Sequence, residues 1–322
     1  MRQGKELILA TKAYTKENKW YEWYCLTQGT VLLLGTIALS LFCPYWSVRI
    51  PAAVLQGAVI VRLFVIYHDY QHHTIFQRSP LAGFIMKALG IFILAPESIW
   101  KRSHDFHHQQ NSKLWTSSIG SYPVLTLSKF NSLDAKKQKK YLRTRHPLTI
   151  LGGYLSMFLV GMCWQSFKSD QKRHRDSLFS MLFHLTYILV VYFFLGWQTV
   201  MVAILFPFII AGAIGAYLFF VQHNFPDVQY QSNADWTYEK AALGSSSYMQ
   251  MNRVMAWVTA NIGYHHIHHL NAHIPFYRLP EVMRHFPELQ HAGKTSWKWK
   301  DVKACIRLKV WDEEKKKMVG LD

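Results

Sequence analysis

The sequence predicts an all-α integral membrane protein: about four transmembrane helices, two re-entrant or interfacial helices, and a helical cytosolic cap. Three observations predict it. Half of the 322 residues are apolar, and they gather in runs close to the roughly 17–25 residues that cross a bilayer. A soluble enzyme would show shorter amphipathic periods instead. The formal charge is +17, and its lysines and arginines crowd the segments between the runs. Finally, histidines cluster with one repeated spacing where runs end.

Taken in order, residues 1–24 form a polar, basic, cytosolic N-terminus with Glu6 and Glu17. It has no apolar core or small-residue cleavage site of a signal peptide and is expected to remain in the mature protein. Cys25 to Phe42 is the first span. Val48 to Tyr67 is the second, after a turn at Cys43-Pro-Tyr-Trp-Ser47 whose proline and aromatics suit an interface. Leu81 to Ala95 is apolar but short and holds Lys87. Pro147 to Trp164 carries Gly152, Gly153 and Gly161. Leu178 to Gly196 and Thr199 to Val221 form a tight hairpin.

Counting crossings fixes a topology. With the basic N-terminus inside, two spans return the chain inside at His68. A crossing by Leu81–Ala95 alone would strand the next histidines outside, so that run is re-entrant or interfacial. A crossing by Pro147–Trp164 would expose Lys168, Lys172, Arg173 and Arg175 outside, against the positive-inside bias. Four spans put every histidine cluster on the cytoplasmic face and leave only Arg49 on the far side. The expected organisation is a single domain: residues 25–221 as the membrane region with two clusters, 222–295 as the cap with the third, and 296–322 as a basic tail. Asn224 to Ser247 is expected to be loop or cap, Met249 to Gly263 helical, and the tail a basic surface element or a solvated charged segment.

The clusters are His68-Asp-Tyr-Gln-His72, His104-Asp-Phe-His107-His108 and His265-His-Ile-His268-His269. On a helix, residues three and four apart share a face. Eight imidazoles exceed the needs of one four-coordinate ion and suit a two-metal centre; Gln222-His223, directly after an apolar run, adds a ninth. Imidazole binds iron, zinc, copper and nickel well, and magnesium or calcium poorly. Structural zinc would favour cysteines, and Cys25, Cys43, Cys163 and Cys305 form no Cys-x-x-Cys pair. Carboxylate di-iron bundles use Glu-x-x-His pairs, which do not accompany these histidines. An all-nitrogen site with open positions at the lip of a membrane suits iron and dioxygen. Asp69 and Asp105 follow the first histidine of their clusters and are candidates to orient a ligand through its second N–H; the competing reading is a helix-surface carboxylate. Asn261, four before His265, could face the centre. His73 and His266 break the common spacing and read as supporting or interfacial polar residues. His184 reads as a polar contact between helices, and His146, His174, His285 and His291 receive no role.

These motifs resemble the membrane fatty-acid desaturase family, whose three histidine boxes take the forms His-x(3–4)-His, His-x(2–3)-His-His and His/Gln-x(2–3)-His-His. The resemblance covers most of residues 25–290, and the stretch from Asn261 to Pro280 is particularly similar to bacterial omega-6 acyl-lipid desaturases. It implies a di-iron centre, dioxygen as co-substrate and a bent acyl channel. It implies His68, His72, His104, His107, His108, His223, His265, His268 and His269 as iron ligands, with the choice of His265 or His266 open. The reaction implied is insertion of a cis double bond into an acyl chain carried as lipid, acyl-CoA or acyl-carrier protein, in a bacterial inner membrane. The chain has no haem, flavin or nicotinamide motif, so electrons come from a separate ferredoxin or b-type cytochrome. Such carriers are commonly acidic, and a basic cytosolic face would steer one in. A hydroxylase on the same scaffold is the nearest alternative. A metal transporter would place ionisable groups deep in the spans. Nucleic-acid binding accounts for the charge alone, but the apolar runs make lipid heads the plainer partner.

Overall fold

The computed structural model describes residues 2–114, 122–231 and 234–321. The described chain is predominantly helical, with two two-stranded ladders. It divides into two compact units: Glu17–Arg102 with Leu151–Ala216, and Met1–Lys16 with Ser103–Ile150 and Tyr217–Asp322.

Four helices are long and apolar enough to cross a membrane: Lys19–Phe42, Trp46–Gln71, Arg175–Leu195 and Trp197–Val221. These correspond to the four expected spans. The helix Pro80–Phe92 instead meets Glu97–Gln109 at a 91° bend, the broken shape expected of a re-entrant pair. The stretch expected to dip or lie flat is helical too, and residues Tyr154–Gln165 are wound as a π-helix.

In the first unit many apolar side chains point outward around a buried core of residues such as Val59, Leu63 and Ile66. Phe179, Leu182, Phe183, Phe193 and Phe194 on one helix are all exposed, the reverse of a soluble protein and the arrangement a lipid solvent stabilises. Polar groups tie the spans together from within. Gln56 donates to the Ala203 carbonyl at 3.0 Å while the Ser40 hydroxyl donates to its Oε1 at 3.0 Å. Arg49 donates to the Ser40 carbonyl and to Thr199 Oγ1, both at 2.9 Å. His184 meets the Tyr154 hydroxyl at 2.6 Å, the interhelical polar contact expected of it. Gly212 lets another pair of segments touch: a Cβ there would lie 2.4 Å from the Tyr154 nitrogen. Gly196 ends the helix Arg175–Leu195 at φ 78°, ψ 169°, a region open essentially to glycine alone, and so makes the hairpin turn.

The second unit is built around the third histidine cluster. The helix His265–Leu270 buries Ile267 and Leu270 in a core with Ala242, Ile274, Leu279, Val282 and Leu7. The first residues are therefore packed structure: Leu7 is 1% exposed, and Asn271 donates to Thr11 Oγ1 at 2.9 Å. The helix Gly4–Ala10 is too short to announce itself by periodicity. Within residues expected to be loop or cap, Thr237 caps the helix Tyr238–Ser245. Within residues expected to be helical, only Arg253–Val258 is an α-helix. Tyr248–Gln250 instead pairs in parallel with Lys294–Ser296, and Ala260 and Asn261 take left-handed backbone at φ 41° and 60°, which ends the helix.

The tail is not a solvated segment. Val310–Asp312 pairs antiparallel with Lys317–Val319, and Val310, Trp311 and Met318 are buried. Val310 joins Phe130 and Tyr141 in a small core. Two apolar residues on each three-residue strand suffice to hold it, a pattern hidden among the lysines.

Candidate metal centre

The second cluster lies on the helix Glu97–Gln109 and the third on His265–Leu270. Their spacing turns the imidazoles of His104 and His108, and of His265 and His269, to one face each. His223 follows the end of the helix Phe206–Val221.

Within the second unit these side chains form two adjoining groups. In one, the Nε2 atoms of His104 and His108 are 3.1 Å apart, and those of His108 and His268 are 3.1 Å apart. In the other, His223 Nε2 lies 3.0 Å from His107 Nε2 and 2.9 Å from His265 Nε2, and His265 Nε2 lies 3.0 Å from His269 Nε2. Each group's nitrogens fall within 4.8 Å of one another. The groups touch through the stacked rings of His108 and His269, with centroids 4.1 Å apart. In the first unit, His68 and His72 stand at the end of the helix Trp46–Gln71 with ring centroids 4.8 Å apart.

The donor set fits two metal ions. With metal–nitrogen bonds of about 2.1 Å, neighbouring ligands of an octahedral ion are separated by about 3.0 Å, and those of a tetrahedral ion by about 3.4 Å. The observed 2.9–3.1 Å contacts, in groups whose nitrogens all fall within 4.8 Å of one another, are close enough for each group to share one ion. Four nitrogens meeting at one point with no acid among them also make no sense as a hydrogen-bond network. Each neutral imidazole has one N–H to give, and His265 Nε2 faces two other Nε2 atoms.

The far sides of the His223 and His68 rings are held by acceptors, as ligands require, and that of His269 is packed against an amide. His223 Nδ1 donates to the Ser245 carbonyl at 2.8 Å, so its Nε2 keeps the lone pair. Asn111 places its amide 3.2 Å from His269 Nδ1 and is itself fixed by Ser245 and Ser246 hydroxyls at 3.0 and 3.1 Å. In the first unit His68 Nδ1 meets Asp69 Oδ1 at 3.1 Å. Burial holds His223 and His269 neutral. It pushes His223 down to about 4, although the Ser245 carbonyl opposes the shift. His269 is held well below the ordinary histidine value by burial first and by its neighbours His108, His265, His223 and His107 next. Neutral imidazole is the form that binds metal.

The adjacent histidines separate by direction. His265 enters a group, whereas His266 turns away and donates from Nε2 to the Leu289 carbonyl at 3.0 Å. Burial lowers His266 to about 4. Asn261 donates to the Phe276 carbonyl at 3.2 Å. Asp105 sits on the helix Glu97–Gln109, half-buried. His174, given no role, meets Ser98 Oγ at 2.7 Å. Sequence reasoning missed Asn111 and Ser245. Asn111 had a signal, since it stands three residues after His108, on the same face of a continued turn. Ser245 acts through its carbonyl and had none.

A family model described as fatty acid desaturase matches residues 44–300. A fatty acid desaturase of Bacillus subtilis is 28% identical over 83% of this chain and 76% of its own length. An sn-1 oleoyl-lipid 12-desaturase of a Picosynechococcus species is 20% identical over 85% of this chain and 80% of its own. An sn-1 acyl-lipid omega-3 desaturase (ferredoxin) of a Synechocystis species is 24% identical over 77% and 70%.

Proposed function

This chain belongs to the fatty acid desaturase family, and from that premise we propose that it is a multi-pass membrane oxidoreductase that desaturates acyl chains esterified in lipids at a di-iron centre. The observation that carries the iron reading is the pair of adjoining groups whose donors are all imidazole nitrogens. His104, His108 and His268 would hold one ion, and His107, His223, His265 and His269 the other. The sequence motifs add His68 and His72 as the first box. The names of the Picosynechococcus and Synechocystis relatives favour an acyl lipid over acyl-CoA or acyl-carrier protein.

The net reaction turns –CH2–CH2– into –CH=CH–. Dioxygen, two electrons and two protons enter, and two waters leave. Iron bound by these residues would supply the power to remove hydrogen from an unactivated C–H bond, which no acid–base side chain can do. The residues do the rest. Ser245 and Asn111 fix the rings of His223 and His269, Asp69 fixes His68, and burial of His104, His108, His265, His268 and His269 keeps bulk water from the reacting carbon. The basic segments that follow the even-numbered spans favour a cytoplasmic catalytic face. Electrons would come from a separate ferredoxin or b-type cytochrome; one relative names ferredoxin.

The test is gas chromatography–mass spectrometry of total fatty acids from a bacterium expressing the chain, beside a His107→Ala control. A new unsaturated acyl species only with the intact chain is expected. A hydroxylated product, or equal product from the control, would overturn the reading.

A further inference from the structure

We propose that the surface formed by Lys136, Lys137, Lys139, Lys140 and Arg143 is the docking site for an acidic one-electron carrier, and that Trp311 and Tyr230 pass its electron toward His223. The proposal deepens the desaturase reading and rests on it.

The helix Ala135–Thr144 is capped by Asp134, whose Oδ1 accepts from the Lys137 amide at 2.9 Å. Its inner face is spent: Tyr141 is buried with Phe130 and Val310, and Leu142 packs on the same core. Its cations all face solvent. Lys137 pairs with Asp134 at 2.9 Å; among the described residues no ion pair joins Lys136, Lys139, Lys140 or Arg143 to a carboxylate. The turn at the end of the neighbouring strand pair exposes Lys316 and Lys317 but also Glu313 and Glu314, and Lys315 pairs with Asp312 at 3.4 Å, so the net positive charge belongs to the helix. A partner carrying clustered carboxylates would be drawn to such a surface.

The same strand pair leads inward. Trp311 is buried, and its backbone N–H donates to the Leu125 carbonyl at 2.9 Å. Its ring meets the Tyr230 ring edge-on, with centroids 5.2 Å apart. The Tyr230 hydroxyl donates to the His223 carbonyl at 3.3 Å. Two aromatic rings and one hydrogen bond thus lead from the basic subdomain to the backbone of His223, whose own covalent bonds complete the path to an imidazole Nε2 in a metal-binding group. Each encounter would oxidise the carrier by one electron and reduce the metal centre by one, and two encounters supply the pair that desaturation consumes. Anionic lipid would satisfy the charges equally well. However, helices that lie on membranes bury an apolar face in lipid, and here that face is already buried in the protein.

The experiment uses the full iron-loaded chain in nanodiscs of neutral lipid, with reduced plant-type ferredoxin as the probe. Stopped-flow absorbance follows ferredoxin oxidation. The triple variant Lys136→Glu/Lys139→Glu/Lys140→Glu is expected to lower the second-order rate about tenfold or more at low salt, with the difference shrinking as salt rises. Reduction by dithionite should be unchanged, as should ferredoxin oxidation by Lys168→Glu/Lys172→Glu/Arg175→Glu, an equal charge change in the other unit. Tyr230→Leu should slow transfer at saturating ferredoxin without altering the salt dependence. Parental rates in the triple variant would overturn the docking site, and parental rates in Tyr230→Leu the route. Loss of binding to phosphatidylglycerol vesicles, with ferredoxin oxidation intact, would assign the surface to lipid instead. Product formed with dithionite but none with ferredoxin would sink this proposal and leave the desaturase reading standing. No product with either would end both.

Discussion

Replacing Asn111 by alanine removes a side chain that touches no metal-directed nitrogen, yet it should loosen metal binding. The Asn111 amide contacts His269 Nδ1 at 3.2 Å, Ser246 Oγ at 3.1 Å and the Ala241 carbonyl at 3.3 Å, and accepts from Ser245 Oγ at 3.0 Å. Ser245 Oγ keeps its second contact, to the Ala241 carbonyl at 2.6 Å, and the bond from the Trp236 indole Nε1 to the Asn111 backbone carbonyl survives. The net loss is then two or three neutral hydrogen bonds at about 1 kcal/mol each. Leaving His269 Nδ1 buried without this partner adds about 1–3 kcal/mol. Folding stability should fall by about 3–6 kcal/mol in sum. Freed to rotate, His269 should weaken the group of His107, His223, His265 and His269, and loss of a ligand-orienting contact typically costs about 10–100-fold in metal affinity. The assay is competition with a graded chelator, followed by elemental analysis of the retained metal, with circular dichroism as a check on folding. A folded variant that keeps metal against chelator as tightly as the parent would refute the reasoning.

The doubled histidine in the third cluster gives a second prediction. His265→Ala should lose metal, whereas His266→Gln should retain it and lose only about 1 kcal/mol of stability through its bond to Leu289; elemental analysis of both variants decides. The glycine contact gives a third. Gly212→Val places a side chain 2.4 Å from the Tyr154 nitrogen, and backbone on both sides cannot yield cheaply. The variant should lose about 1–3 kcal/mol or more, seen as a lower unfolding midpoint in detergent, and an unchanged midpoint would contradict the packing.

Some of this molecule was legible in its sequence because the information is local. Hydropathy depends on neighbours along the chain, so the spans Lys19–Phe42, Trp46–Gln71, Arg175–Leu195 and Trp197–Val221 were visible. The same holds for histidines four apart on one helix: His104 with His108 and His265 with His269 had to share a face. Long-range contacts were hidden. Nothing in the sequence near His269 marks Asn111, 158 residues away, and a backbone carbonyl such as Ser245's has no side-chain signature. The carboxyl-terminal tail misled because its core needs only Val310, Trp311 and Met318, too few to stand out against so many lysines. Leu7 was hidden for the same reason: a helix of seven residues shows one turn of pattern at most. At Ala260 and Asn261 the left-handed backbone broke a segment whose composition alone favours a longer helix.

The most direct test of the two-metal account is an anaerobic iron titration of the purified apoprotein, followed by addition of acyl lipid, reductant and oxygen. The account predicts saturation near two irons per chain and alkene formed only above one iron per chain, with one dioxygen consumed per double bond. Saturation at a single ion, or full activity with only one iron bound, would contradict it.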